Sequence, residues 1–119
     1  MNIKDDKDAL EKFYTASIRY TELEGKENHK ELNKNVSIIH KAAGFLKKNN
    51  KLINLKPILN DPNLGVASWA ALYYLTIDEE LAVQRLKEII DAKIKFVSLS
   101  AEYILKQWED GSLEIYFVE

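Results

Sequence analysis

The sequence predicts an all-α domain of about five helices. Three observations favour this class: residues 63–77 are apolar on every side of a helix, apolar residues recur at helical spacing in the flanking segments, and capping residues stand where these segments begin. A helix without a polar face must be covered by other elements on more than one side. We therefore expect residues 63–77 to form the central helix.

Two long helices are predicted before the central one. The first spans about residues 5–23 and ends at Gly25. The second spans about residues 28–49 and carries an apolar stripe with alternating four- and three-residue spacing, made of Leu32, Val36, Ile39, Ala43 and Leu46. Gly44 lies inside this helix, where glycine costs about 1 kcal/mol relative to alanine, so we expect close packing at that position.

A short helix and a corner lead into the central helix. The short helix, over residues 51–60, is expected to bend at Pro57, because an interior proline lacks a backbone donor. The corner follows, since Pro62 disfavours helix at Asp61 and Asn63 is a good N-cap.

Two further helices are predicted after the central one. Asp78 is expected to cap the first, with Glu79 and Glu80 in its first turn. The same three acids also form a candidate metal cluster, but their position at a helix start favours capping. The last helix spans about residues 96–110.

The single helical domain is predicted to cover residues 1–111, with a C-terminal tail at residues 112–119. Residues 113–119 are apolar without helical support, so we expect them to dock on the domain or to pair as a strand. They are also a candidate for self-association. Removing them is expected to leave the helices intact.

The order of helices and corners predicts a stack of helical hairpins, an α-α superhelix of the HEAT and armadillo type. The run from Leu55 to Val66, followed by Ala70, is similar to a HEAT repeat.

A closer resemblance rests on three short motifs, which are Trp69-Ala70-Ala71, Ser100-Ala101-Glu102 and Leu105-Lys106-Gln107-Trp108. Together they resemble an uncharacterised HEAT-like bacterial family, the domain of unknown function numbered two-thousand-and-nineteen. The likeness covers about residues 8–111 and departs at Ala67, where HEAT-type repeats usually place arginine. It implies a HEAT-like fold. The family has no established activity, so the resemblance assigns no function to any residue.

No catalytic, metal or cofactor site is predicted. The chain has no cysteine, and its four glycines are isolated, so no phosphate-binding loop is expected. Neither His29 nor His40 has an acid or a second histidine at ligand spacing in its own helix. Trp69 and Trp108 lie on inward faces, so core packing is favoured over stacking on a ligand. Glu102 points outward and is expected to be solvated, with a groove position as the alternative.

The most prominent candidate functional feature of the sequence is a basic face on the second predicted helix. Between residues 26 and 56, eight lysines stand against two acids, a local balance of +6 in a chain of net charge −2. Opposite the apolar stripe lie Lys30, Lys34, Lys41 and Lys48, which we call the lysine face. A solvated helix face is favoured, and the alternative is a surface for nucleic acid or an acidic protein.

The sequence therefore predicts a non-enzymatic binding module without cofactors, whose partner is another protein. The reason is that stacked hairpins offer an extended face without convergent reactive groups. An immunity or adaptor role rests on the family resemblance alone. The alternative is nucleic-acid or anion binding through the lysine face, although the net charge and the presence of only two arginines disfavour nucleic acid. No signal peptide or membrane span is expected, and the cytoplasm is the default location.

Overall fold

Four of the six helices begin where a polar side chain accepts N–H groups of the first turn. The computed structural model describes residues 2–118, which form a 3-10 turn, Leu52–Leu55, and six α-helices: α1 (Asp6–Leu23), α2 (His29–Lys48), α3 (Lys56–Leu59), α4 (Leu64–Tyr74), α5 (Glu79–Asp91) and α6 (Val97–Asp110). The caps are Asp5, Asn28, Asn63 and Asp78. The caps predicted at Asn63 and Asp78 are thus confirmed.

The all-α class is confirmed, since residues 2–118 contain six helices and no strand. The predicted total of about five helices is one too low, although the helical segments predicted one by one add up to six, as in the structure. Met1 and Glu119, the end residues of the predicted domain and tail, lie outside the described residues.

The segment 51–60 is not the single bent helix that was predicted. It forms the 3-10 turn and then the four-residue helix α3, with Pro57 in the first turn of α3. The missing N–H of proline is tolerated there, because N–H groups of the first turn have no partner inside a helix. Pro57 therefore helps to start a helix, which makes α3 a separate element.

Helix α4 lies at the centre of the molecule, as predicted. It packs against α1, α3, α5 and α6, and Ala67, Ala70 and Tyr73 are fully buried. It ends at Tyr74, three residues before the predicted end, because the next residues turn towards α5 and leave Ile77 exposed. No helix of residues 2–118, α4 included, is both long and apolar enough to cross a membrane.

Arginine side chains join helices that are distant along the chain. Arg85 of α5 donates from Nε to the carbonyl of Leu59 at 2.8 Å and from a terminal nitrogen to the carbonyl of Asp61 at 2.9 Å. Arg19 of α1 pairs with Glu31 of α2 at 2.7 Å. The first contact holds α5 against the corner before α4, and the second joins α1 to α2.

The helices form a body of nearly equal dimensions, 37 × 34 × 27 Å. Its radius of gyration is 13.3 Å, which matches the roughly 13–14 Å of a compact domain of this length. The accessible faces of the protein are therefore no longer than about 37 Å.

The C-terminal tail docks on the helices. Its side chains alternate between half-buried positions at Leu113, Ile115 and Phe117 and exposed ones at Glu114, Tyr116 and Val118. The hydroxyl of Tyr73 in α4 donates to the carbonyl of Tyr116 at 2.8 Å, and the ring of Tyr73 meets that of Phe117 edge to face at 5.2 Å. The tail thus helps to cover α4, so its removal would uncover part of the core.

The end of the tail crosses α2 at Gly44. The N–H of Val118 donates to the carbonyl of His40 at 3.1 Å, and a Cβ at Gly44 would overlap the main chain of Val118. The close packing predicted at Gly44 is confirmed, and the neighbour that requires it is the tail.

Replacing Ala70 by glutamate should abolish cooperative unfolding of the native structure. An unpaired charge in the centre of α4 costs several kcal/mol, which is comparable with the roughly 5–15 kcal/mol that stabilises a domain. Ala92→Glu is the matched control, because Ala92 is exposed at the end of α5, and it should change the free energy of unfolding by less than about 0.5 kcal/mol. Thermal melting followed by circular dichroism measures both, and an unchanged Ala70→Glu protein would show that α4 is not enclosed.

Phe117→Ala should lower the free energy of unfolding by about 2 kcal/mol, because its half-buried ring covers Tyr73. Tyr116→Ala is the control and should cost less than about 1 kcal/mol, since the ring points outward and the carbonyl that binds Tyr73 is retained. Urea denaturation gives both values. The opposite order would contradict the inward orientation of Phe117.

Candidate functional site

The four predicted partner-binding lysines lie along α2 without converging. Lys30, Lys34 and Lys48 are exposed, and Lys41 is half-buried. From the first to the last, the lysine face extends over about 27 Å of helix. Lys30 and Lys34 border one shallow depression. The lysine face is therefore a line of separate charges.

Neighbouring groups offset part of the positive charge of α2. Glu31 pairs with Arg19, whose hydrogen bond holds the pKa of Glu31 below its ordinary value, with a smaller effect from Lys34. Near the other end, the Lys47 ammonium lies 4.3 Å from the centre of the Phe117 ring in the tail. Glu31 and the tail thus lie beside opposite ends of the lysine face.

A groove lies between the end of α1, helix α4 and helix α6. It encloses about 200 Å³, and its lining includes Tyr20, Glu24, Ser68, Trp69, Ser100 and Ile104. Each helix places these side chains together through its own period, since Tyr20 and Glu24, like Ser100 and Ile104, are four residues apart. The walls are predominantly apolar and aromatic.

Glu24 places a carboxylate without a cationic partner in this groove. The groove is lined by no lysine, arginine or histidine, and within residues 2–118 Glu24 forms no ion pair. Burial raises the pKa of Glu24. Burial also raises the pKa of Tyr20, and the charge of Glu24 adds to that effect. Because it is half-buried and unpaired, the ionised carboxylate costs folding free energy.

Two further groups give the groove its chemistry. The rings of Tyr20 and Trp69 meet edge to face, with centroids 5.2 Å apart. Ser68, which is only 6% exposed, also borders the groove. The groove therefore combines an aromatic wall, a serine and a carboxylate without a cationic partner.

An apolar strip on α6 borders the groove. Leu99 is 69% exposed and Tyr103 is 63% exposed, and these two residues, one turn apart, form what we call the α6 strip. Ser100 and Ile104, their neighbours in sequence, line the groove. The strip and the groove wall thus lie on adjoining faces of α6.

Phe96 fixes the start of α6 against the end of α1. Its φ of +66° is unfavourable for an aromatic residue, and Val97 donates to the carbonyl of Lys95 at 2.7 Å, which makes a strained γ-turn. The Phe96 ring packs on Gly25, where a Cβ would overlap it. Gly25 therefore permits the contact that holds two walls of the groove together.

This groove was not predicted from the sequence. Trp69 and Trp108 pack against the core, as predicted, but both are only half-buried. Trp69 also lines the groove, and Trp108 donates from its indole nitrogen to Glu79. A signal was present in α6, because Leu99 and Tyr103 are large apolar residues four positions apart, which places them on one face of the helix.

The predicted acid cluster at the start of α5 has other roles. Asp78 caps the helix, and Glu79 accepts the hydrogen bond from Trp108. Within residues 2–118, no three histidine, cysteine, aspartate or glutamate side chains are placed to hold a metal ion. Glu102 is exposed on α6.

Fold and site together define an all-helical protein with an apolar, acid-containing groove. No protein-family model, no curated protein and no solved structure matches the sequence. The HEAT-like family therefore stays a prediction.

Glu24→Gln should stabilise the folded protein at pH 7, by less than about 1 kcal/mol because the group is only half-buried. The raised pKa means that the unfolded chain ionises first, near pH 4.5, so the cost of the carboxylate is absent below that pH and present above the folded pKa. The gain should therefore vanish at pH 3.5. Urea denaturation at both pH values measures it, with Glu102→Gln as the exposed control, and an equal gain at both would contradict the raised pKa.

Proposed function

We propose that this protein is a non-enzymatic binding module for another protein. The observation that carries the proposal is the α6 strip next to the groove. Contiguous exposed apolar residues beside a groove are typical of surfaces that bind proteins. Such a face costs solubility when it is left open to water, which favours a partner that covers it.

The dimensions and chemistry of the groove support binding over catalysis. Its volume of about 200 Å³ is below the roughly 300–1,000 Å³ of pockets that hold drug-sized ligands. Its lining has one carboxylate and no histidine, lysine or arginine. General acid–base chemistry usually needs a second positioned group, so the groove is better suited to holding a side chain than to transforming a substrate.

We also propose that the helices stack in HEAT-like pairs. Consecutive helices pack on each other in α1 with α2 and in α5 with α6, which supports HEAT-like helical pairs of the kind implied by the family resemblance. An immunity or adaptor role in the cytoplasm of a bacterium follows from that resemblance alone.

Nucleic-acid or anion binding through the lysine face is the second candidate. The exposure of Lys30, Lys34 and Lys48 favours it. Two features weaken the case for nucleic acid: Glu31 pairs with Arg19 beside these lysines, and the charges are spread over about 27 Å. Protein binding through the α6 strip is therefore favoured.

Two variants separate these functions. The first is Leu99→Asp with Tyr103→Asp, which removes the α6 strip, and the second is Lys34→Glu with Lys41→Glu and Lys48→Glu, which reverses the lysine face. We expect the first variant to lose at least about 90% of the partner captured from the source organism's lysate, because charges replace the apolar contact, while the second retains it. Mass spectrometry of the captured proteins measures this.

Oligonucleotide binding at 50 and 200 mM salt tests the alternative on the same two variants. Steeply salt-dependent binding that only the lysine variant loses, together with protein capture that the strip variant leaves unchanged, would replace the proposed function by nucleic-acid binding. Thermal melting checks that both variants remain folded, as expected because the substituted residues are exposed or, for Lys41, half-buried.

A further inference from the structure

We propose that the groove binds one arginine side chain presented by an amphipathic helix of the partner, and that apolar residues of the same helix cover the α6 strip. The inference rests on the proposed function and adds the chemistry of the partner. Three properties of the surface carry it: the balance of charge, the shape of the groove and the state of the backbone around it.

The unpaired negative charge in the groove favours binding of a cation. Glu24 stands in the lining without a counter-ion from residues 2–118. It follows directly after α1, whose last turn contains no basic residue. The carbonyl groups at the end of a helix carry partial negative charge, so they add to the attraction that Glu24 exerts on a cation. A cation from outside would pair with this carboxylate.

The shape and lining of the groove favour arginine. A volume of about 200 Å³ accommodates one long side chain, with its methylene groups against apolar residues such as Leu72 and Ile104. The guanidinium group has five donors in a plane, so one group can serve both the Glu24 carboxylate and the Ser68 hydroxyl. Its flat face also suits the aromatic wall of Tyr20 and Trp69. A lysine ammonium is compact and makes less use of such a wall.

The backbone around the groove favours a helical partner. Its walls come from helices, whose N–H and C=O groups are paired within the helix, so no strand edge is offered for a peptide to extend. Recognition must therefore use side chains. Leu99 and Tyr103 lie four residues apart, and a facing helix presents its own apolar residues at spacings of three and four. One such helix can reach both the strip and the groove.

A displayed library of amphipathic helical peptides, with the residues of one face randomised, tests the proposal on the full protein. We expect the selected binders to carry arginine at one position, with apolar residues three or four positions away. Replacing that arginine by citrulline, which keeps the shape and removes the charge, should weaken binding about tenfold or more. Fluorescence of Trp69, measured in a Trp108→Phe background, and titration calorimetry report the affinity.

Glu24→Gln identifies the carboxylate responsible. This variant should also weaken binding about tenfold or more. Replacing the peptide's arginine by citrulline should then weaken binding to the variant only slightly further, because the two changes remove the same contact. Glu102→Gln is the control, since it removes one exposed acid on α6 outside the groove, and it should change affinity less than twofold. Its result separates a specific pair from general attraction between charges.

The outcomes distinguish this inference from the proposed function. Binders that need the α6 strip but contain no arginine, or that Glu24→Gln leaves unchanged, overturn the arginine site and leave the binding module standing. A library without binders, or a chain that dimerises through Leu99 in sedimentation experiments, overturns the helical partner. If the strip variant binds the selected peptides and captures lysate proteins as wild type does, both proposals fail.

Discussion

The structure depends on covering α4 from every side. This helix has no polar face, so each neighbour must bring an apolar surface to it, and the small residues of α4 let those neighbours approach. At Gly65 the approach is so close that a Cβ would overlap the side chain of Thr21 in α1. Helices α1, α3, α5 and α6 take up most of the surface of α4, and the tail covers Tyr73. The compact shape of the protein follows from this requirement.

The sequence was sufficient to predict features that depend on one helix. Cap residues and helical spacing are local, which is why Asn63 and Asp78 were identified as caps and α4 as the centre. Contacts between distant segments leave no such pattern. Gly44 was expected to be closely packed, but its partner, the main chain of Val118, was not predictable. Pro57 was misjudged because its effect depends on where its helix begins.

The same distinction explains the candidate site. The lysine face lies on one helix and was therefore visible in the sequence, whereas the groove takes a few residues from each of three helices. Tyr20 and Trp69 are far apart in sequence, and neither position differs from ordinary core or surface. Leu99 and Tyr103 were the local sign, because they are large apolar residues one turn apart on an exposed face of α6. A half-buried carboxylate without a cationic partner then marks the groove as less than optimal for stability, as binding sites often are.

The docked tail also affects the order in which the molecule can assemble. The hydrogen bond from Tyr73 to Tyr116 joins residues 43 positions apart, and Val118 reaches back even further, to His40. Helical pairs close through local contacts within microseconds to milliseconds, but contacts of long sequence separation carry a larger loop-closure entropy. Folding should therefore pass through a stage in which the helices have formed and Tyr73 is still hydrated. The tail would then close the core last and open it first.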